Sequence, residues 1–320
     1  MSGHSCKVAV VGAGYMAREH IRAFGDIPGV TVAGILSRTS ARAEALAAEF
    51  GVACIGESMR GLYEATRADL LVIAVPELAA FSVIRAALDH PWTILAEKPV
   101  GYCQEEAEAI CALVEAQGRR LYVALNRRFY GATLAAARDL AQRSGPRFIE
   151  VLDQQDQAAA LAASQPERVV RNWMYANSIH LVDYFLQFGR GEIVGVDAVL
   201  PWKPHSPGHV AALLRFSGGD VGYYHAVWNG PGPWACFVST PETRWELRPL
   251  EQARRQMRGE RMLTEQEAEP WDAAFKPGLR RQAEEAVKTA LGLPSLSVPL
   301  AEANKTMRLI RSIYEQRAGL

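Results

Sequence analysis

The stretch from Lys7 to Phe24 constrains the fold more than any other part of the chain. Val8 to Val11 are apolar without alternation, the pattern of a strand buried on both faces. Gly12, Gly14 and Ala17 then occupy the three small-residue positions of a G-x-G-x-x-G/A turn. Gly12 permits the tight turn, Gly14 lets the backbone approach a pyrophosphate, and Ala17 lets the first helix pack closely on the strand. The free N–H groups that open this helix, with the positive end of its dipole, face the phosphates. Strand, turn and helix in this order predict a dinucleotide pocket built on Gly12, Gly14, Tyr15, Met16 and Ala17.

The following elements extend that unit. Val30 to Leu36 reads as a second strand that ends at Ser37-Arg38-Thr39-Ser40, where an acidic residue would bind the 2′-hydroxyl of NAD. None is present. Arg38 offers a planar cationic fork to a 2′-phosphate and Ser37 and Thr39 offer hydrogen bonds, so NADP(H) is expected in preference to NAD(H). Val52 to Ile55 reads as a short strand, and Asp69 to Pro76 as a clearer one, closed by that proline. A helix is expected from Glu77 to Asp89, a strand from Thr93 to Ala96, a helix from Glu105 to Gln117 and a strand from Leu121 to Leu125. This alternation predicts a parallel, doubly wound sheet with its crevice at the carboxyl ends of the strands. Val75, Pro76, Glu97, Lys98 and Asn126 sit at such ends and are expected beside the cofactor. Arg127, Arg128 and Tyr130 follow directly and are candidates for contact with substrate, the arginines with a phosphate or carboxylate.

The character changes near Gly145-Pro146. Phe148 to Leu152, Ile193 to Leu200, Val210 to Phe216, Val221 to Trp228, Trp234 to Ser239 and Thr243 to Leu247 read as strands, several joined by Gly-rich or Pro-rich turns. The expected architecture is α/β: a Rossmann domain at 1–125, then an α+β domain at 126–320 with a large, mostly antiparallel open sheet. The second domain carries a helix at about Asn177 to Phe188 and a polar stretch from Glu251 to Pro270, expected to be mobile. A terminal helix at 301–316 places Ala303, Met307, Ile310 and Tyr314 on a core face and is expected to pack back toward the first domain. The 320 residues suffice for two cores.

Thirty-five basic against thirty-five acidic residues leave no global field toward nucleic acid or an anionic membrane, and no apolar run reaches membrane-spanning length. Five cysteines, never in C-x-x-C spacing, argue against a disulfide framework or a zinc site. A cytoplasmic protein with a small-molecule substrate and no metal is expected.

Taken together, the glycine turn, Ala96-Glu97-Lys98-Pro99-Val100, Asn126-Arg127-Arg128-Phe129 and His180-Leu181-Val182-Asp183 resemble the Gfo/Idh/MocA oxidoreductases, over nearly the whole chain. The resemblance implies hydride transfer between NAD(P) and a carbinol or carbonyl carbon of a sugar, nucleotide-sugar or cyclitol-like substrate. It implies dimers or tetramers through the second-domain sheet. Lys98 matches the family's catalytic lysine, His180 its helix histidine, and Asp183 the acidic residue one turn later. A lysine and a histidine that flank one oxygen can serve as acid and base, and three-residue spacing puts Asp183 on the side of the helix that carries His180. The family's carboxylate one turn before the histidine and its glycine two before the histidine are missing: Ala176 and Ser178 stand there, beside Asn177, which can supply a hydrogen bond to substrate without the charge. Two other readings stay open at this point. One is reduction of an imine or non-sugar ketone on the same fold; the other, motivated by Ala176 and Ser178, is a dinucleotide-binding sensor without turnover.

Overall fold

The apolar run after Lys7 lies in β1 (Cys6–Val11) of a computed structural model that describes residues 5–315. The glycine turn leads from it into α1 (Tyr15–Gly25). There follow β2 (Val30–Leu36), α2 (Ser40–Phe50), β3 (Cys54–Gly56), α3 (Met59–Thr66), β4 (Leu70–Ile73), α4 (Glu77–Ala87), β5 (Thr93–Glu97), α5 (Gln104–Ala116) and β6 (Arg120–Ala124). These six strands are parallel in the order β6-β5-β4-β1-β2-β3. The order reverses at β1, so the crevice expected of a doubly wound sheet opens beyond Val11 and Ile73. Val8, Val10, Leu70 and Val72 are fully buried, which accounts for strands without polar alternation, and Ala17, Ile21 and Phe24 of α1 close the same core.

The second sheet obeys the other period. After α6 (Gly131–Leu140) come β7 (Phe148–Gln155), α7 (Gln157–Ala162), α8 (Glu167–Arg171), a π turn at Met174–Ser178 and α9 (Ile179–Phe188). Then come β8 (Ile193–Leu200), β9 (His209–Phe216), β10 (Val221–Trp228), β11 (Ala235–Ser239), β12 (Thr243–Leu247), β13 (Ala253–Met257) and β14 (Thr264–Glu265). Eight strands run in the order β14-β13-β12-β11-β7-β10-β9-β8. Every pair is antiparallel except β7 with β10. Along β7 and β10, buried and half-exposed residues alternate, so Ile149, Val151, Tyr224 and Ala226 face a core that α9 covers.

The chain closes with α10 (Pro270–Ala274), α11 (Leu279–Ala290), β15 (Val298–Pro299) and α12 (Leu300–Tyr314). Its compact units are Met1–Phe129 with Trp271–Asn304, and Tyr130–Pro270 with Lys305–Leu320. The sequence boundary at 125/126 is therefore moved to 129/130, and a continuous second domain is corrected. Residues 271–304 belong with the first unit, where Leu279, Ala283, Ala286 and Val287 of α11 enter the Rossmann core and β15 pairs antiparallel with β6. An amphipathic helix goes where its apolar stripe finds a partner.

Three further readings change. The Glu251 to Pro270 stretch, expected to be mobile, contains β13 and β14. β13 is tied to β12 by Arg254–Glu246 at 3.3 Å and to α6 by Arg255–Asp139 at 3.4 Å, charges rather than an apolar alternation. The helix expected from Asn177 is a π turn up to Ser178 and α-helical from Ile179. The terminal helix, expected over 301–316, runs from Leu300 to Tyr314; its first five residues belong to the first unit and Lys305 onward to the second. Gln316 lies outside the described residues.

Candidate active site

In the first unit the glycine turn divides its labour in a way that can be read from the space around it. Gly12 has φ +121, and a Cβ there would stand 2.0 Å from the Ala74 carbonyl oxygen at the end of β4. A Cβ on Gly14 would meet nothing within 4 Å. Gly12 therefore satisfies the protein's own packing, whereas the room at Gly14 faces outward. Gly14 is the N-cap of α1 without a side-chain cap, and the first turn holds no acidic residue. The helix start thus keeps unsatisfied N–H donors and positive potential, the features that receive a phosphate. A cleft of about 450 Å³ opens beside it, lined by Gly14, Tyr15, Arg18, Arg42 and Glu49. Ala17 is fully buried, and Met16 packs at the edge of the core. These residues fit a dinucleotide.

At the end of β2, Ser37 Oγ accepts from the Thr39 N–H at 3.3 Å, and Thr39 is the N-cap of α2 without a side-chain bond. Arg38 is exposed and forms no salt bridge among the described residues. Val75 is half-buried, and Pro76 is the N-cap of α4, whose first residue is Glu77.

Lys98 follows β5 directly. Burial lowers its pKa below the ordinary 10.5; the carboxylates of Glu97 and Glu77 oppose that shift, while Arg127 and Lys276 add to it. Glu97 is restrained: its Oε1 lies 2.7 Å from His20 Nε2, and its Oε2 accepts from the Lys98 N–H at 3.3 Å. His20, one turn after Ala17 on α1, is almost wholly buried and was not visible from sequence as a site residue. Asn126, expected beside the cofactor, spends its amide donor on the Pro277 carbonyl at 3.0 Å. Arg128 lies 3.6 Å from Glu302, as a structural cation would. Arg127 stands near enough to Lys98 to bear on its charge, so of the two arginines it is the one beside that lysine.

In the second unit, Asn177 closes a directed chain of hydrogen bonds. Asp153, on the buried face of β7, accepts from Gln155 Nε2 at 2.6 Å and from Tyr224 Oη at 2.7 Å. An ionised carboxylate only accepts, so Gln155 must turn its NH₂ toward it and its Oε1 away. That Oε1 accepts from Asn177 Nδ2 at 2.8 Å, which leaves Asn177 Oδ1 as the acceptor still on offer. Tyr224 and Tyr314 hydroxyls lie 2.8 Å apart, and Trp228 Nε1 donates to Tyr314 at 3.3 Å. Tyr314, expected as core, is core by burial and polar by its hydroxyl. Burial first, and the Asp153 charge second, hold both phenols above the ordinary tyrosine range.

His180 is buried in the first turn of α9. Asp183 accepts from the Thr306 hydroxyl at 2.7 Å, which anchors that carboxylate to α12. Tyr130, a substrate candidate from sequence, is buried at the start of the second unit. Among the described residues no group of three or more His, Cys, Asp or Glu is arranged to hold a metal, and no helix is long and apolar enough to cross a membrane.

Residues 6–125 match the family described as "Oxidoreductase family, NAD-binding Rossmann fold". Over 134 residues the chain is 27% identical to D-apiose dehydrogenase of Paraburkholderia graminis, a match that spans 42% of this chain and 36% of that relative. The fold resembles UDP-N-acetylglucosamine 3-dehydrogenase of Acidithiobacillus ferrooxidans at a TM-score of 0.78 and 18% identity, over 98% of this chain and 97% of that one. It also resembles levoglucosan dehydrogenase, solved with NADH and levoglucosan, at a TM-score of 0.77 and 17% identity, over 97% and 96% of the two chains.

Proposed function

We propose that the chain, whose residues 6–125 match the Gfo/Idh/MocA oxidoreductases, is an NADP(H)-preferring oxidoreductase that acts on a carbinol or carbonyl carbon of a sugar-like substrate. The observation that carries this reading is Lys98, a lysine at a strand end whose pKa is lowered by burial. The bound dinucleotide supplies or accepts the hydride. Lys98 Nζ takes the hydroxyl proton when the substrate is oxidised and returns one when the carbonyl is reduced. His180 assists in the proton transfer, Asp183 supports the helix that carries it, and Arg127 meets an anionic substituent where the substrate has one. The similarity to enzymes named for D-apiose, UDP-N-acetylglucosamine and levoglucosan supports a polyhydroxylated substrate. Asn177 Oδ1 suits such a substrate as a neutral acceptor for one hydroxyl. The test is a panel of aldoses, nucleotide-sugars and cyclitols assayed with both cofactors; no hydride transfer to any member would favour a sensor.

The exposed Arg38 makes a separate prediction. Arg38→Ala is expected to weaken NADPH binding about tenfold and leave NADH binding unchanged, measured by fluorescence titration. Equal losses for both would remove the case for a 2′-phosphate site.

His20 makes another. His20→Phe fills the buried space but frees Glu97 Oε1, whose charge then favours protonated Lys98 more strongly. The ascending limb of the pH profile for oxidation should move to higher pH, with kcat/KM near neutrality down about tenfold. His20→Gln, which retains a donor, should restore the limb. An unmoved limb in His20→Phe would assign the pair to packing alone.

Assembly belongs to the same reading. Phe148, Leu213 and Val221 are exposed together on the open face of the eight-stranded sheet, which suits a homodimer or homotetramer. Light scattering on the purified protein measures it.

A further inference from the structure

We propose that Lys276 is the cation that neutralises the dinucleotide pyrophosphate; this rests on the reading of the glycine turn as a dinucleotide site. Lys276 lies about 260 residues from that turn in sequence, in the segment that returns to the first unit. Its Nζ stands 5.5 Å from the ring centroid of Tyr15. Tyr15 is the first residue of α1, immediately after Gly14, and is 63% exposed. The ammonium therefore stands over the side chain that opens the helix whose first N–H groups lack a side-chain cap.

The backbone that carries Lys276 is held on several sides. Asn126 Nδ2 donates to the Pro277 carbonyl at 3.0 Å, and the Gly278 N–H donates to Asp272 Oδ1 at 2.8 Å. Arg22 Nη2 donates to the Ala274 carbonyl at 2.7 Å, and its guanidinium lies 4.9 Å from the Phe275 ring. These ties fix where the side chain begins, and its four-carbon stem leaves the ammonium free to adjust.

The charge itself is uncompensated. Lys276 forms no salt bridge among the described residues, whereas Arg18, the other cation beside Tyr15 in sequence, is already taken by Glu49 at 2.5 Å. A cation over an exposed ring is weakly held, and a phosphate oxygen offers a stronger, charge-assisted partner. Tyr15 links two positive features, the ammonium over its ring and the helix start at its backbone, and an anion bound at the helix start draws the flexible ammonium toward it. The pyrophosphate fits because it is the anion that the glycine turn receives. A 2′-phosphate belongs to a different strand end, at Arg38.

The test is titration of the full chain with NADPH and, separately, NADH, by fluorescence at low and moderate salt, for the parent, Lys276→Met and Lys276→Arg. Lys276→Met should raise both dissociation constants by the same factor, about tenfold, and flatten their salt dependence. Lys276→Arg should stay within about threefold of the parent. The ligand-free melting temperatures should agree, since the side chain is half-buried and unpaired with any acid. Unchanged affinity in Lys276→Met overturns the proposal, as does a loss confined to NADPH, or an arginine variant as weak as the methionine one. A parent that binds neither dinucleotide overturns the cofactor reading, and Lys276 falls with it; a parent that binds while Lys276→Met binds equally well overturns Lys276 alone.

Discussion

Lys98→Met is expected to lower kcat/KM by about three orders of magnitude while dinucleotide affinity stays within about tenfold of the parent. Methionine retains the length and apolar stem of lysine and removes the titratable nitrogen. The pH dependence gives the result its mechanistic content. Burial pushes the Lys98 pKa below 10.5, and Arg127 and Lys276 push it further, so the neutral amine is more abundant near neutrality than in an exposed lysine. Oxidation consumes the neutral amine as base. The parent rate for oxidation should therefore rise with pH and level off above the lowered pKa. Reduction consumes the ammonium as acid, so its rate should be level below that pKa and fall above it. Both limbs should vanish in Lys98→Met, whose residual rate no longer depends on a lysine proton. A methionine variant with near-parental turnover, or with both limbs intact, would take the proton transfer away from Lys98.

Local patterns carried much of this molecule in its sequence. The positions of Gly12, Gly14, Ala17 and Lys98 could be read because each depends on neighbours a few residues away: a turn, a helix start, the end of an apolar strand. Asn177 and His180 could be placed for the same reason, as neighbours on one helical stretch. What escaped were the partnerships made by folding. His20 meets Glu97 across 77 residues, Tyr224 meets Asp153 across 71, and Asn126 reaches Pro277 across 151. A buried acid such as Asp153 looks in sequence like any alternating polar residue of a strand; only the register that sets it opposite Ala226, on the covered face, shows that it lies in the core. Residues 271–304 were misassigned because sequence order favours the preceding domain, while the apolar stripe of α11 finds its partner in the Rossmann core. β13 was missed because arginine–carboxylate contacts to β12 and α6 hold it, which do not produce an apolar alternation, and β14 because it is two residues long.

The two glycines of the turn should respond to the same substitution in opposite ways. Gly12→Ala places a methyl where the Ala74 carbonyl oxygen stands 2.0 Å away, at a φ of +121 that an alanine rarely adopts. The obstacle is backbone at the end of a buried central strand, so relief requires β1 or β4 to move. We expect a loss of about 3 kcal/mol or more in the stability of the first unit, read as a lowered denaturant midpoint. Gly14→Ala meets no protein atom within 4 Å, and the residue's φ of −96 and ψ of −171 are open to alanine. Its cost in the ligand-free chain should stay within about 1 kcal/mol, the difference between the two residues as N-caps. The methyl instead enters the space left for the pyrophosphate, so NADPH and NADH should both bind at least about tenfold more weakly. The pair of variants thus separates a glycine required by the fold from one required by the ligand. If Gly14→Ala bound both dinucleotides as the parent does, the room above that residue would not be the phosphate site, whatever Gly12→Ala did to stability.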